Sequence, residues 1–222
     1  MTRRKSLSTR QGSSKESIVY IVDDDPIVRG AISSLLMSVG QQVQLFESAT
    51  DLLQSSLPAI PSCMVLDIRL PGLSGLDLQA LLANVGLPIP IIFITGHGDI
   101  PMSVKAMKAG AIDFLTKPFR DQDLLDAVTG ALERDRERRK DEEDARDLRA
   151  KYSTLTTREQ QIMALVSDGL MNKQVASTLE ISQFTAKIHR GRVMRKLGAK
   201  SLADLVVMAE ALGVRGKLPH EP

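Results

Sequence analysis

Acidic side chains follow two apolar segments of the chain, in positions where they could act on a phosphate group or a cation. Asp23 and Asp24 come directly after the run Ile18–Val22, and Asp67 is the last residue of the run Cys63–Asp67. Two other polar groups follow later apolar runs, namely the hydroxyl of Thr95 and the ammonium of Lys117. Three carboxylates that meet at neutral pH require a counter-charge. Because carboxylate oxygens are ligands that Mg²⁺ prefers, these residues are candidates for a magnesium site.

The same groups could also carry out a covalent step at phosphorus. A carboxylate such as Asp67 forms an aspartyl phosphate when nearby positive charge stabilises the phosphoryl oxygens. Lys117 and the cation would supply that charge. The residues alone also allow a chance acidic loop on a nucleotide-binding sheet, or an Mg²⁺-dependent phosphatase. A phosphatase needs a general acid beside the nucleophile, whereas Ile68 and Arg69 follow Asp67 in this chain.

Strands and helices alternate through residues 18–133. Five apolar strands are predicted, at Ile18–Val22, Val43–Phe46, Cys63–Asp67, Ile89–Thr95 and Ala111–Leu115. Helices are predicted between them and after the last one, beginning at or near residues 26, 49, 76, 101 and 121. The third and fourth strands are almost entirely apolar, as strands of a parallel sheet covered on both faces must be. The pattern predicts an α/β doubly wound parallel sheet, whose strand ends bring the acidic residues together.

The chain after Tyr152 is predicted to be entirely helical. Four helices are expected, and their N-terminal capping residues are Thr156, Asn172, Ser182 and Ser201. Only Glu180 and Ile181 separate the second of these helices from the third. This is the spacing of a helix-turn-helix motif, so the segment is predicted to be an all-α domain that binds nucleic acid.

The third of these helices has an apolar face and a basic face. The residues expected to pack inward are Ala186, Val193 and Leu197. The opposite face carries Phe184, Lys187, Ile188, Gly191 and Arg195. Apolar side chains can contact thymine methyl groups, Lys187 can reach the acceptor atoms of guanine, and the missing side chain of Gly191 is hypothesised to allow closer approach to the groove. Phosphate contacts are assigned to Arg190, Arg192, Lys196 and, on the second helix, Lys173.

Charge is distributed unevenly along the chain of 222 residues. The net charge is +4 for residues 1–16, −7 for 17–133, +1 for 134–153 and +4 for 154–222. An acidic body suits a cation, and a basic body suits nucleic acid. The single cysteine, Cys63, excludes a disulfide framework and a cysteine-based zinc site. No apolar run is long enough to cross a membrane, so a cytoplasmic protein without a membrane partner is expected.

These patterns divide the chain into a disordered leader (1–16), an α/β domain (17–133), a linker (134–153), a helical domain (154–213) and a tail (214–222). The leader is rich in arginine and serine, so an organellar transit peptide is the alternative for this segment. The linker is expected to be an exposed helix because opposite charges recur at helical spacing, as in Asp135 with Arg139. It contains no heptad of apolar residues that would indicate a coiled coil.

Residues 18–133 resemble the receiver domain of bacterial two-component response regulators. The segment TGHGDIPMSVKAMKAGAIDFLTKPF, which spans Thr95–Phe119, is similar to the FixJ branch of that family. Residues 154–212, from LTTRE at residue 155 to RKLG at residue 195 and beyond, resemble the NarL/LuxR-type DNA-binding domain. The resemblance implies a flavodoxin-like, five-stranded sheet of order 2-1-3-4-5, followed by a four-helix domain with a helix-turn-helix motif.

The resemblance also implies roles for individual residues. Asp67 would be the phosphoacceptor, and the ligands of Mg²⁺ would be Asp23, Asp24, Asp67 and the main-chain carbonyl of Arg69. The other residues that act on the phosphoryl group would be Thr95, as the switch hydroxyl, and Lys117. Phe114 would be the switch aromatic residue, and the bond between Lys117 and Pro118 is expected to be cis.

The partners implied by the resemblance are a sensor histidine kinase, a double-stranded DNA operator, a second copy of the chain after phosphorylation, and RNA polymerase. The protein would then regulate transcription rather than act as an enzyme on other substrates. One alternative is a receiver that serves as a protein-docking module without phosphate. Another is constitutive dimerisation through the last helix, residues 201–212, which carries Leu202, Leu205, Val206 and Ala209.

Overall fold

The computed structural model describes residues 16–96 and 100–217; residues 1–15 of the predicted leader and 218–222 of the predicted tail lie outside these ranges. The chain divides into two compact units, with the division between Arg139 and Lys140. The first unit contains the strands β1 Ile18–Val22, β2 Gln42–Phe46, β3 Ser62–Asp67, β4 Ile91–Thr95 and β5 Asp113–Thr116. Its helices are α1 Pro26–Ser38, α2 Ala49–Gln54, α3 Gly75–Asn84, α4 Ile100–Lys108 and the beginning of α5 Asp121–Ser153. Within the described ranges, every helix is too short or too polar to cross a membrane.

The five strands form one parallel sheet of order β2-β1-β3-β4-β5, which confirms the predicted doubly wound fold. Both β3 and β4 are buried over their full length. Side chains alternate between the two faces along each strand, and a separate apolar cluster covers each face. One cluster includes Tyr20, Met64 and Phe93, and the other includes Ile21, Val65 and Ile94. The near-continuous apolar strands of the sequence therefore fill two cores rather than one.

Two strands begin later than the sequence predicted. β4 begins at Ile91, because Pro90 has no N–H group to donate to a neighbouring strand. β5 begins at Asp113. The residue expected to open it, Ala111, instead donates its N–H to the carbonyl of Ala106 at 3.1 Å and so closes the end of α4.

The second unit contains the end of α5 and the helices α6 Thr157–Ser167, α7 Asn172–Thr178, α8 Gln183–Leu197 and α9 Leu202–Ala211. The side chains that cap α6, α8 and α9 are those predicted, Thr156, Ser182 and Ser201. Asn172 is not a cap but the first residue of α7. Met171 holds the capping position, and its N–H donates a hydrogen bond of 2.8 Å to the side chain of Gln174. Between α7 and α8, Glu180 adopts a positive φ of 52°, a conformation that is uncommon for residues other than glycine.

One residue near the start of the predicted linker is buried, which corrects the expectation of an exposed helix at that position. Asp135 in α5 is completely buried. Its carboxylate accepts hydrogen bonds from the N–H of Ser62 at 2.9 Å, from Arg138 at 2.6 Å and from Arg139 at 2.6 Å. The predicted pair of Asp135 with Arg139 is therefore confirmed. The carboxylate of Asp135 also accepts a hydrogen bond from the main chain at the start of β3. Packing against the sheet overrides the local pattern of charges at this position.

Candidate functional site

Three carboxylates and one ammonium meet at the carboxyl edge of the sheet. Lys117 Nζ donates hydrogen bonds of 2.7 Å to Asp23 Oδ2 and of 2.7 Å to Asp67 Oδ2. Carboxylate oxygens of Asp23, Asp24 and Asp67 lie within 4.8 Å of one another. The bond between Lys117 and Pro118 is cis, as predicted. The structure thus brings together the charged groups that the sequence placed at separate strand ends.

Main-chain groups hold two of the carboxylates in position. The N–H of Asp25 donates to Asp23 Oδ1 at 2.9 Å. The N–H of Arg69 donates to Asp67 Oδ1 at 2.9 Å. In each carboxylate one oxygen is therefore fixed by the turn that follows its strand, while the other oxygen accepts from Lys117.

Burial and charge act in opposite directions on the ionisation of this cluster. Asp23 is completely buried, and burial raises the pKa of its carboxyl group although the hydrogen bond from Lys117 opposes the shift. Burial alone would lower the pKa of Lys117, but the hydrogen bonds to Asp23 and Asp67 outweigh it, so that this pKa is raised. The lysine consequently remains charged at neutral pH.

The donor set fits a hard divalent cation. Three carboxylates beside one ammonium leave a local charge of about −2, which a divalent cation would balance. Asp24 is exposed, so a hydrated cation can reach the cluster from solvent. Mg²⁺ is characteristically bound through a few carboxylates and keeps several of its waters. Asp23, Asp24 and Asp67 are the side chains that would hold it, and the carbonyl of Arg69 stays a predicted ligand.

Two residues that sequence reasoning missed support the site. The buried guanidinium of Arg29 on α1 donates to the main-chain carbonyl of Asp23 at 2.5 Å and to Glu47 at 2.9 Å. Gly75 at the start of α3 packs against the end of β3, where a Cβ atom would lie only 2.3 Å from the carbonyl oxygen of Asp67. The sequence carries no pattern for either role, because both depend on how a helix packs against a strand end.

Thr95 and Phe114 lie on neighbouring strands beside the acidic cluster. Thr95 is completely buried at the end of β4, and its carbonyl accepts a hydrogen bond of 2.8 Å from the N–H of Lys117. Phe114 pairs with Phe93 of β4 in the sheet register and is half-buried in the apolar cluster that also contains Met102 of α4. One predicted switch residue is thus linked to the acidic cluster, and the other to α4.

The basic face of α8 is open to solvent. The residues predicted to pack inward, Ala186, Val193 and Leu197, are buried in the core of the second unit. Phe184 is 73% exposed and Ile188 is 40% exposed. A shallow groove on this face is lined by Phe184, Lys187, Ile188, Gly191, Arg192 and Arg195. A Cβ atom at Gly191 would meet no atom within 4 Å, so packing within the described chain does not require a glycine there.

The basic residues predicted to contact phosphates differ in their surroundings. Lys173 on α7 and Arg192 on α8 are both exposed. Arg190 is half-buried, and its guanidinium donates to the side chain of Asn172 at 3.4 Å, which is a long hydrogen bond. These three side chains can reach a phosphate without breaking a strong internal contact.

Lys196 is engaged inside the second unit. Its ammonium donates to the carboxylate of Glu159 at 2.6 Å and to the main-chain carbonyl of Thr154 at 2.9 Å. Burial raises the pKa of Glu159, but the hydrogen bonds, first of all that from Lys196, outweigh it, and this pKa is lowered. A phosphate contact by Lys196 would have to replace these internal partners.

Two family models match the chain. The first is described as a response regulator receiver domain and matches residues 19–129. The second is described as bacterial regulatory proteins of the luxR family and matches residues 153–209. The first match contains the whole acidic cluster, and the second contains α6, α7 and α8 together with most of α9.

Similarity to known proteins extends over both units. Nodulation protein W of Bradyrhizobium diazoefficiens is 56% identical over 202 residues, which cover 91% of this chain and 89% of that protein. The transcriptional regulatory protein FixJ of Rhizobium meliloti is 43% identical over 195 residues, which cover 88% of this chain and 96% of that protein. The solved structure of the response regulator StyR has a TM-score of 0.79 and 48% identity, and the match covers 88% of this chain and 98% of that one.

Proposed function

Because the chain belongs to the response regulators that join a receiver domain to a LuxR-type DNA-binding domain, we propose that phosphorylation of Asp67 controls its self-association and its binding to an operator. The protein is a transcription regulator of a two-component system. The observation that supports the finer proposal is that Lys117 contacts both Asp23 and Asp67 beside Asp24. Exposure to a small phosphodonor with Mg²⁺, followed by intact-mass measurement, tests it.

The phosphoryl transfer requires only groups that this site holds or can bind. An oxygen of Asp67 forms a bond to phosphorus as the bond between phosphorus and the donor's leaving group breaks. In the structure, Lys117 Nζ lies 2.7 Å from Asp67 Oδ2. After the transfer Lys117 would donate to a phosphoryl oxygen, and Thr95 is proposed as a second donor. Asp23, Asp24, Asp67 and the carbonyl of Arg69 would hold Mg²⁺, which neutralises charge on the phosphoryl oxygens when it is bound.

The domain limits and partners follow from this assignment. We assign the receiver to residues 17–133 and the DNA-binding domain to 154–213, with the linker 134–153 between them and a leader and tail outside; the two family matches cover most of both domains. Asp135, in the first turn of this linker, packs with the receiver. A receiver implies a cognate kinase, and a LuxR-type domain implies a DNA partner. Contact with RNA polymerase and a cytoplasmic location are further parts of the proposal. No observation favours the phosphatase alternative.

We assign base contacts and phosphate contacts to different residues of the DNA-binding domain. Base contacts are assigned to Phe184, Lys187, Ile188, Gly191 and Arg195, which share the groove on α8. Phosphate contacts are assigned to Lys173, Arg190, Arg192 and Lys196. Of these, Arg192 also lines the groove, whereas Lys196 would first have to leave Glu159.

Lys187→Ala is expected to weaken operator binding by ~1–3 kcal/mol and to relax the sequence preference, because a base contact is lost. Arg192→Ala is expected to weaken binding to all sequences by a similar factor and to flatten the salt dependence, because a phosphate contact is lost. Binding titrations over a panel of operator mutants at low and high salt measure both effects. Identical profiles for the two variants would contradict the division into base and phosphate contacts.

Gly191→Ala is expected to stabilise α8 and to weaken operator binding at the same time. Alanine favours a helix over glycine by about 1 kcal/mol, while the added methyl group would stand between the helix and the DNA. Gly130→Ala is the matched control, because Gly130 is an exposed helical glycine in α5 whose Cβ would also meet no atom within 4 Å. It should gain stability and keep its operator affinity. Thermal unfolding and binding titrations measure the two effects, and undiminished affinity in Gly191→Ala would refute the close approach.

We propose that Thr95 and Phe114 transmit phosphorylation to the surface of the receiver. The acceptor oxygens of the phosphoryl group on Asp67 would attract the hydroxyl of Thr95. The side chain of Phe114 would then enter the space that Thr95 leaves. Because Phe114 packs in the same cluster as Met102, this movement would change the surface of α4 and β5. That surface already exposes Ile100, Val104 and Met107 on α4. A dimer formed there would present two recognition helices to two half-sites, so that self-association and DNA binding strengthen together.

The unphosphorylated protein is expected to be mainly monomeric, the phosphorylated protein mainly dimeric, and Thr95→Ala to lose this shift. Sedimentation at micromolar protein, with and without a phosphodonor, measures it. Thr129→Ala on α5 is the control, because its hydroxyl is exposed and donates to the carbonyl of Leu125 in its own helix. An unchanged mass in both states would refute the switch, and a dimeric mass in both states would support constitutive dimerisation through α9, which exposes Leu202 and Val207.

A further inference from the structure

The side chain of Asp24 is held less firmly than those of Asp23 and Asp67. Each of the other two carboxylates accepts one hydrogen bond from a main-chain N–H and one from Lys117. The carboxylate of Asp24 is exposed and accepts no hydrogen bond from any residue that the structure describes. Its place beside the other two carboxylates therefore depends on the main chain that carries it.

The guanidinium of Arg29 holds the peptide group that precedes Asp24. Its Nη1 donates to the carbonyl oxygen of Asp23 at 2.5 Å. This carbonyl and the nitrogen of Asp24 belong to one planar unit, so a contact that fixes the oxygen also orients the Cα atom of Asp24. The N–H of Asp23 is held separately, by the carbonyl of Phe46 at 3.3 Å. Among the described residues, no main-chain N–H donates to the carbonyl of Asp23, so its orientation rests on Arg29.

The charge of Arg29 is unfavourable beside a cation site, which indicates that its geometry is what the site needs. A guanidinium next to the acidic cluster repels a divalent cation. Its Nη2 donates to the carboxylate of Glu47 at 2.9 Å, and that carboxylate offsets the charge. The side chain of Arg29 is 10% exposed, whereas that of Glu47 is 78% exposed. The pair therefore brings a strong hydrogen-bond donor to a buried carbonyl with little net charge.

We propose that Arg29 is a positioning residue of the acidic site, whose contact with the carbonyl of Asp23 keeps Asp24 where it binds Mg²⁺. The inference rests on the proposed function, because it takes the acidic cluster to be the Mg²⁺ site. Arg29 contacts neither the cation nor the phosphoryl group and acts through the main chain of Asp23 and Asp24. Loss of a group that orients a metal ligand typically lowers metal affinity by about 10–100-fold.

Arg29→Met and Arg29→Lys test the proposal in the full-length, unphosphorylated protein. Methionine removes the donors and the charge, whereas lysine keeps the charge but replaces the forked guanidinium with a single ammonium. Titration with magnesium chloride, followed by nuclear magnetic resonance of the backbone amides, is expected to show a dissociation constant raised about tenfold in Arg29→Met. A smaller increase is expected in Arg29→Lys.

The sign of the change separates positioning from a charge effect. Through charge alone, Arg29→Met would bind Mg²⁺ more tightly than the wild type, because a positive charge is removed. Through charge alone, Arg29→Lys would bind it equally well. Binding as tight as that of the wild type, in whichever of the two variants is folded by its amide spectrum, overturns the proposal.

The main chain at Asp24 supplies a second readout that needs no metal. The order parameter of the Asp24 amide is expected to be about 0.85 in the wild type and to fall toward about 0.6 in Arg29→Met. The amide of Arg69, which donates to Asp67 at 2.9 Å, should keep its value in both proteins. An Asp24 amide that stays as rigid in Arg29→Met as in the wild type refutes the positioning role. An equal loss of order at both amides would show a general loosening of the domain and also overturn it.

Arg134→Met is the matched control, because Arg134 is an exposed arginine of the same unit. It should keep the Mg²⁺ affinity and the Asp24 order of the wild type, and a loss equal to that of Arg29→Met would overturn the proposal. A wild type that binds no Mg²⁺ would overturn this inference together with the cation site. A wild type that binds Mg²⁺ but takes up no phosphoryl group would contradict only the phosphorylation of Asp67.

Discussion

The Asp67→Asn protein, treated with a small phosphodonor and Mg²⁺, is expected to gain no phosphoryl group, whereas the wild type gains one. Asparagine keeps the shape of the side chain but removes the nucleophilic carboxylate. Its side-chain oxygen can still accept the hydrogen bond of 2.9 Å from the N–H of Arg69, so the domain is expected to fold. Intact-mass spectrometry measures the modification, and circular dichroism measures the fold.

Asp126→Asn provides the matched control for this experiment. Asp126 is an exposed aspartate on α5 that pairs with Gln122, far from the acidic cluster in the sequence. This variant should be phosphorylated as fully as the wild type. A phosphoryl group gained at full yield by Asp67→Asn would mean that another residue is the acceptor. A wild type that is phosphorylated without any change in DNA binding would favour a receiver that acts as a docking module.

Asp135→Ala is expected to lower the free energy of unfolding of the receiver by about 2–4 kcal/mol. The N–H of Ser62 would lose its acceptor in a buried position, and Arg138 and Arg139 would lose the partner that they share. The side chains of the two arginines are 29% and 28% exposed, so they can turn toward water, which moderates the loss. Urea unfolding followed by circular dichroism measures the stability, and hydrogen exchange at Ser62 locates the effect.

Asp141→Ala removes an exposed carboxylate from the same helix and is the control for Asp135→Ala. It is expected to change the stability by less than about 0.5 kcal/mol, as surface substitutions usually do. Equal unfolding curves and equal exchange at Ser62 in the two variants would show that the buried acceptor contributes nothing to the receiver.

The sheet and the convergence of the acidic residues could be predicted because both follow from local pattern. Burial on both faces leaves strands such as Ile91–Thr95 nearly free of polar residues. The ends of parallel strands share one edge, so the meeting of Asp23, Asp67 and Lys117 followed from their positions after apolar runs. Their separate roles in phosphoryl transfer rest on family resemblance, since the geometry alone does not distinguish an acceptor from a metal ligand.

Contacts that depend on how a helix packs against another element could not be predicted. Asp135 stands in a run of alternating charges that is typical of a solvated helix, and only its packing against Ser62 reveals that it is buried. Lys196 lies on a basic helix, but Glu159 of α6 binds its ammonium. In both cases the partner belongs to another element, whereas periodicity and charge patterns report only on neighbours in the sequence.

The burial of Asp135 also limits how such a receiver can be recombined with a new output domain. A chimaera keeps the contact between Asp135 and Ser62 only when its junction falls after that aspartate, and it keeps both arginine partners only when the junction falls after Arg139. A junction at residue 133, where the composition changes visibly, would separate the sheet from the carboxylate that satisfies it. The junction that keeps these contacts, whether domains are exchanged in evolution or in the design of biosensors, therefore lies inside α5, after Arg139.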